Sequence, residues 1–144
     1  MAFSGTFEHT LDAKNRLTVP SKYRAALAGT VFLVRGVDPC IELYPATTYS
    51  AMTEATLARV NPLSPQGRQL RRVLHASSVE QQLDSAGRVV LPPRLMEHAG
   101  IAKDVVILGT GPCLELWDRG AWEDYDRELV ARAPELTEQL GHPA

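Results

Sequence analysis

Few of the features that mark an enzyme, a membrane protein or a secreted scaffold occur in this sequence. It has only two cysteines, Cys40 and Cys113. They lie far apart and fit no metal-ligand spacing, so free thiols are expected. No apolar run approaches the ~20 residues that span a bilayer. The start, Met1-Ala2-Phe3-Ser4-Gly5, carries neither the basic region nor the apolar core of an export signal, which predicts a cytoplasmic protein. The four histidines, His9, His75, His98 and His142, are scattered singly, and no metal site is expected. There is no Gly-x-Ser-x-Gly nucleophile elbow and no Walker phosphate loop. Gly109-Thr110-Gly111-Pro112 lacks the third glycine of a dinucleotide loop and leads into a strand, so it reads as a turn. The expectation is therefore no catalysis, no cofactor and no small-molecule substrate.

What the chain does have is one ten-residue pattern used twice. Leu11-Asp12-Ala13-Lys14-Asn15-Arg16-Leu17-Thr18-Val19-Pro20 is matched by Leu83-Asp84-Ser85-Ala86-Gly87-Arg88-Val89-Val90-Leu91-Pro92. Each copy opens on Leu-Asp, places a turn-former (Asn15 or Gly87) just before an arginine, and closes on proline. Asp favours the start of a type I turn, and Asn and Gly tolerate the positive φ that ends a three-residue hairpin loop. Asp12 and Arg16 should then face each other across the neck of one hairpin, and Asp84 and Arg88 across the other. The useful consequence is orientation, because the carboxylate aims a guanidinium at the tip of a ribbon. An acid pair is a poor alternative, since an Arg neighbour keeps each carboxylate ionised.

The repeat extends beyond the tips. An offset of 72 sets Glu8 on Glu80 and Arg24 on Met96, and an offset of 73 sets Cys40–Tyr44 on Cys113–Trp117. In each unit the pattern predicts a strand entering the hairpin (from Phe3 in the first), a return strand (Arg16–Val19 in the first), a short helix, and two apolar strands. The helices are Ser21–Ala28, stopped by Gly29, and Pro93–Ala99, stopped by Gly100. The later strands are Val31–Val34 and Cys40–Tyr44, then Val105–Leu108 and Cys113–Trp117. A helix over Thr47–Val60 should end at Asn61-Pro62. Ser64-Pro65 should cap another, with Leu70, Val73 and Leu74 as its apolar stripe and Arg68, Arg71 and Arg72 off it. A last helix, capped by Asp118 and burying Trp122, Tyr125 and Leu129, should end at Pro134, with His142-Pro143-Ala144 frayed. This gives a first repeat with trailing helix over 1–60, a linker helix over 61–76, a second repeat with C-terminal helix over 77–133, and a tail over 134–144. Neither repeat is long enough to bury a good core alone, so the two should form an intrachain pseudo-dimer.

The formal charge is −2, but it is unevenly spread. Residues 1–114 hold 12 Lys and Arg against 9 Asp and Glu, and residues 115–144 hold 3 against 8. A basic face on the body is compatible with that, and the local field decides whether a polyanion binds. Arg is suited to a bidentate contact with guanine O6 and N7 or with phosphate, and two-stranded ribbons enter the major groove. Lys14 adds a phosphate contact at the first tip that its counterpart Ala86 cannot make. His9 lies near that tip as well. The Arg68, Arg71 and Arg72 run is ordinarily a solvated helix face.

Met1–Arg24, with its Leu-Asp-Ala-Lys-Asn-Arg-Leu-Thr-Val-Pro segment, resembles the N-terminus of the bacterial MraZ proteins. Leu83–Pro92, and Glu115-Leu116-Trp117 with Trp122, resemble that family's second half. Asn15 departs from the glycine expected in the first copy but keeps the positive-φ option. The resemblance implies an α+β fold of two tandem AbrB/SpoVT-like swapped-hairpin units, assembled as a homo-oligomeric ring of about eight or more. It implies a cytoplasmic, nucleoid-associated transcriptional regulator, mostly a repressor. The implied partner is double-stranded promoter DNA, read as short G-rich direct repeats upstream of the division and cell-wall gene cluster. The family's DNA-contact motif carries over to Asp12, Arg16, Asp84 and Arg88, and the implied interface takes in Lys14, Asn15 and Gly87 at the same tips. Two other readings fit the pattern: an antitoxin-like AbrB relative, and a purely structural ring protein that uses the hairpins for self-assembly.

Overall fold

Prolines and glycines cut the chain into short pieces, and alternating apolar residues in those pieces decide how they pair. The structure, a computed structural model, describes residues 2–141; Met1 and the tail at 142–144 lie outside them. The strands are β1 (Thr6–Thr10), β2 (Arg16–Thr18), β3 (Thr30–Arg35), β4 (Ile41–Pro45), β5 (Val79–Gln82), β6 (Arg88–Val90), β7 (Asp104–Gly109) and β8 (Leu114–Asp118). The helices are α1 (Ala46–Leu57), α2 (Pro65–Arg71), α3 (Pro93–Ala99) and α4 (Arg119–Gly141).

Six strands form one antiparallel sheet in the order β1-β7-β8-β4-β3-β5, and β2 pairs with β6 in a separate two-stranded ribbon. The repeats interlock. First-repeat β1 pairs with second-repeat β7, and second-repeat β5 pairs with first-repeat β3. At the centre β4 meets β8, with Glu42 opposite Glu115. This is an α+β pseudo-dimer of two swapped-hairpin units. The ribbon closes over one face of the sheet, and Leu17, Val19, Val89 and Leu91 bury beneath it against Val31, Leu33, Ile41, Leu43, Val105, Ile107, Leu114 and Leu116. The other face carries two matched clusters. Tyr49 and Met52 of α1 pack on Val34, Tyr44 and Cys113. Trp122 and Tyr125 of α4 pack on Cys40, Val106, Leu108 and Trp117.

Several local expectations need correction. Neither tip ends a ribbon of its own, because β1 and β2 part just beyond the loop to take partners in the other repeat. That exchange gives each short strand a pairing partner and buries its apolar face, Leu17 on β2 and Val89 on β6, which an isolated hairpin cannot do. Over Ser21–Ala28 only Ser21–Tyr23 forms a 3₁₀ turn, followed by separate turns. A segment this short has little helical stability of its own, and here the burial of Tyr23 and Leu27 sets the path, whereas the matched Pro93–Ala99 segment is helical. α2 is capped by the Ser64 hydroxyl, which accepts from the Gly67 N–H at 3.0 Å. It then widens into one π turn over Arg72–Ala76. The extra residue in that turn rotates Val73 out of the expected stripe, leaving it 59% exposed. Trp122, Tyr125 and Leu129 are half-buried only. α4 also runs through Pro134 to Gly141. Proline removes an N–H there, but the helix is already solvent-exposed, and water can satisfy the freed Val130 carbonyl.

Candidate nucleic-acid interface

The two tips are built alike from local chemistry. In the first, the Asn15 N–H donates to the Asp12 carbonyl at 3.0 Å and the Asp12 N–H to the Arg16 carbonyl at 3.2 Å. In the second, Gly87 and Asp84 repeat those bonds at 2.9 and 3.0 Å. Asn15 has φ 58° and Gly87 φ 74°, the left-handed closure of a type I turn. Each aspartate is filled by its own loop. Asp12 Oδ1 accepts the N–H groups of Lys14 and Arg16, both at 2.9 Å, and Oδ2 accepts Arg16 Nε at 2.6 Å. Asp84 does the same with Ala86, Arg88 and Arg88 Nε at 2.9, 2.9 and 2.8 Å. The Arg16 N–H, then its guanidinium and the Lys14 N–H, hold the Asp12 carboxyl down at about 2. Asp84 is lowered for the matching reasons, the Arg88 N–H first. Both carboxylates are therefore fixed anions, and each grips its arginine by Nε, so that the bond to the carboxylate does not use the terminal amines.

The ribbon sets the two arginines side by side. Arg16 pairs with Val90, Leu17 with Val89, and Thr18 with Arg88. Leu17 and Val89 face the core, so Arg16, Thr18, Arg88 and Val90 share the outer face. Arg16 and Arg88 are diagonal neighbours, with backbones about 7–8 Å apart. Their side chains are 30% and 31% exposed. Gln81 of β5 pins the ribbon to the sheet edge, donating to the Val90 carbonyl at 2.6 Å and accepting its N–H at 3.1 Å. A residue of this kind gives no signal in the sequence pattern.

Of the other residues singled out in the sequence, Lys14 is exposed on the first tip and Ala86 on the second. His9 lies on β1 in a cleft of about 290 Å³ with Thr18, Val19 and Arg24, away from the loop itself. The Arg68, Arg71 and Arg72 run does not act as one face. Arg68 Nη1 donates to the Leu63 carbonyl at 2.6 Å, and Arg72 turns into a separate cleft with Arg35 and Arg94. Cys40 and Cys113 are free and buried. Burial pushes the Cys113 thiol up to about 11 and Cys40 further, which leaves both protonated and unreactive. Among the described residues no group of three His, Cys, Asp or Glu is placed to hold a metal, and no helix is long and apolar enough to cross a membrane.

Interlocked repeats that present paired, carboxylate-anchored guanidiniums on one ribbon face define an AbrB-like double unit. A family model described as "MraZ protein, putative antitoxin-like" matches residues 2–72 and again 74–139. Proteins named transcriptional regulator MraZ are similar along nearly their whole length. That of Lactobacillus delbrueckii subsp. bulgaricus is 36% identical over 138 residues, and that of Herpetosiphon aurantiacus 37% over 141, each covering 96% of both chains. The one from Thermomicrobium roseum is 33% identical over 141 residues, with the same coverage. The chain belongs to the MraZ family, whose relatives here are named as transcriptional regulators.

Proposed function

We propose that this protein is a sequence-specific DNA-binding regulator of transcription whose two tips contact promoter DNA. The observation that carries the reading is the ribbon face, where Arg16 and Arg88 lie on the same side and are each held through Nε, which leaves their terminal amines to a ligand. That is the geometry of end-on bidentate recognition of guanine O6 and N7. Asp12 and Asp84 orient the arginines, Asn15 and Gly87 close the loops, and Lys14 supplies a phosphate contact at the first tip. The protein works in the cytoplasm on the nucleoid. Its target is a set of short G-rich direct repeats upstream of its own gene, in the division and cell-wall cluster, and its main effect is repression. Two tips per chain make few phosphate contacts, which leaves binding weak at physiological salt. A ring of about eight or more copies matched to direct repeats gains by avidity. The antitoxin alternative, in which an extended tail wraps a toxin, finds no such tail in the described residues, since Arg119–Gly141 is one helix.

The test is titration against the DNA upstream of the gene and a scrambled duplex, at two salt concentrations, with assembly size checked for each variant. Arg16→Ala and Arg88→Ala should each cost about 1–3 kcal/mol per engaged guanine contact and relax the base preference there. Asp12→Asn and Asp84→Asn should lose specificity more than nonspecific affinity. Wild-type affinity and specificity in the Arg16→Ala, Arg88→Ala double variant would return the ribbon to a structural role.

A further inference from the structure

The two tips match in their loops but not in what stands beside them. Arg24 follows the first repeat's 3₁₀ turn, yet its side chain crosses to the second repeat's tip. Its Nε donates to the Val19 carbonyl at 3.2 Å, and Val19 is joined to that tip by its own N–H, which donates to the Gly87 carbonyl at 2.9 Å. The guanidinium lies against Gly87 so closely that a Cβ there would sit 2.3 Å from Arg24 Nε and 2.7 Å from Cζ. A cleft of about 290 Å³ opens at this place, with Arg24, Leu27 and Gly29 of the first repeat on one side and Leu83, Asp84 and Ser85 of the second on the other. At the first tip the matched position is Met96.

Packing alone does not require this charge, because the repeat uses a methionine at the equivalent position. Nor does a neighbour neutralise it. The Asp84 carboxylate is taken up by Arg88 Nε and two backbone N–H groups. Among the described residues no carboxylate pairs with Arg24. Arg24 thus brings to the second tip a guanidinium with no carboxylate partner, where the Arg88 guanidinium already has Asp84. Gly87 serves twice in this arrangement, for its positive φ and for the close approach of Arg24.

We infer that the Arg24–Gly87 cleft is a phosphate site, in which Arg24 contacts a backbone phosphodiester of bound DNA beside the base contact assigned to Arg88. The second tip then recovers through Arg24 the cation that its loop lacks at Ala86, and the first has it from Lys14. The two tips grip the backbone with different geometry. The inference rests on the DNA-binding reading above.

The experiment is a salt series of anisotropy titrations on the upstream duplex and its scrambled control, using the full chain as wild type, Arg24→Met, Arg24→Lys and Arg88→Ala. Arg24→Met copies the second repeat's own residue and should fold. It should weaken binding to both duplexes about equally, by roughly tenfold or more across an oligomer, and lower the salt slope by about one per engaged tip. Arg24→Lys should recover most of the slope. Should Arg24→Met fail to fold, Arg24→Gln against Arg24→Lys makes the same comparison. Wild-type affinity and slope in Arg24→Met, with binding lost in Arg88→Ala, would reduce Arg24 to a brace and leave the DNA reading intact. Wild-type binding in both variants would overturn the inference and the DNA reading together.

Discussion

The two tips share a backbone angle but not what they tolerate there. Asn15 and Gly87 both sit at positive φ, where Asn and Gly are the residues that fit at least cost. At Gly87 an added Cβ would meet the Arg24 guanidinium. Asn15→Gly should therefore be neutral or slightly stabilising, whereas Gly87→Val should be costly, since a β-branched side chain is disfavoured at that φ and would displace Arg24. Gly87→Asn, harmless by analogy with the first tip, should also lower the melting temperature, because the collision begins at Cβ. Equal melting curves for wild type and Gly87→Asn would show that Arg24 moves aside freely. The tip aspartates add a pH argument of definite sign. Their folded values lie below the ordinary carboxylate value, to about 2 for Asp12. Their contribution is thus present above that ordinary value and lost as pH falls through the folded one. The aim of Arg16 and Arg88 should not change across the neutral range.

The seam between β4 and β8 places like charges opposite each other, an unusual choice for the middle of a sheet. Glu42 and Glu115 are cross-strand partners, and both are half-buried between the α1 and α4 clusters. Burial first, then the Glu115 charge, raises the Glu42 carboxyl above its ordinary value. A raised carboxyl stabilises the fold at pH below its unfolded value, and that stability is lost as pH rises through the folded value. Glu42→Gln removes the repulsion and should raise the melting temperature at neutral pH by about 2–4 °C. The gain should shrink as the solution is acidified, and a gain independent of pH would exclude the charge as its cause. The same elements show what the sequence can disclose. Both turns were legible because their chemistry is contained in five residues, Asp12–Arg16 and Asp84–Arg88. The Ser64 cap and the Gly100 stop were legible for the same reason. The passage of α4 through Pro134 was not, because it depends on that stretch being open to water. Arg24 was invisible as well. The repeat offset aligns it with Met96, and its partner Gly87 belongs to the other repeat.

At the scale of the whole molecule the pairing matters more than any one contact. Assembly is the first consequence. Beyond Tyr125 helix α4 leaves the body, with Val130 and Leu140 68% and 87% exposed. If the tips bind by avidity, light scattering should give a particle well above a dimer, and a 15.8 kDa monomer at micromolar concentration would contradict the ring. The second consequence concerns the chain cut in two. β1, β3 and β4 of the first repeat each pair with a strand of the second, β7, β5 and β8, and β2 takes β6. A first half alone, residues 1–76, would leave β1, β3 and β4 each with an unpaired edge and expose the underside of the ribbon, where Leu17 and Val19 are now fully buried. Burying a Leu or Val side chain is worth about 1.5–3 kcal/mol, which is large beside the stability of a fragment that size. The half should therefore be unfolded as a monomer. Because the two repeats share one pattern, a second copy can supply the missing strands, β2 pairing with β2 where β6 now lies. Residues 1–76 should thus gain structure with concentration as a symmetric dimer, carrying Asp12 and Arg16 at both tips. Circular dichroism and sedimentation over a concentration series would show it. A folded monomer of residues 1–76 would mean that the repeat closes its own hairpin, and that the interlock follows from tandem fusion alone.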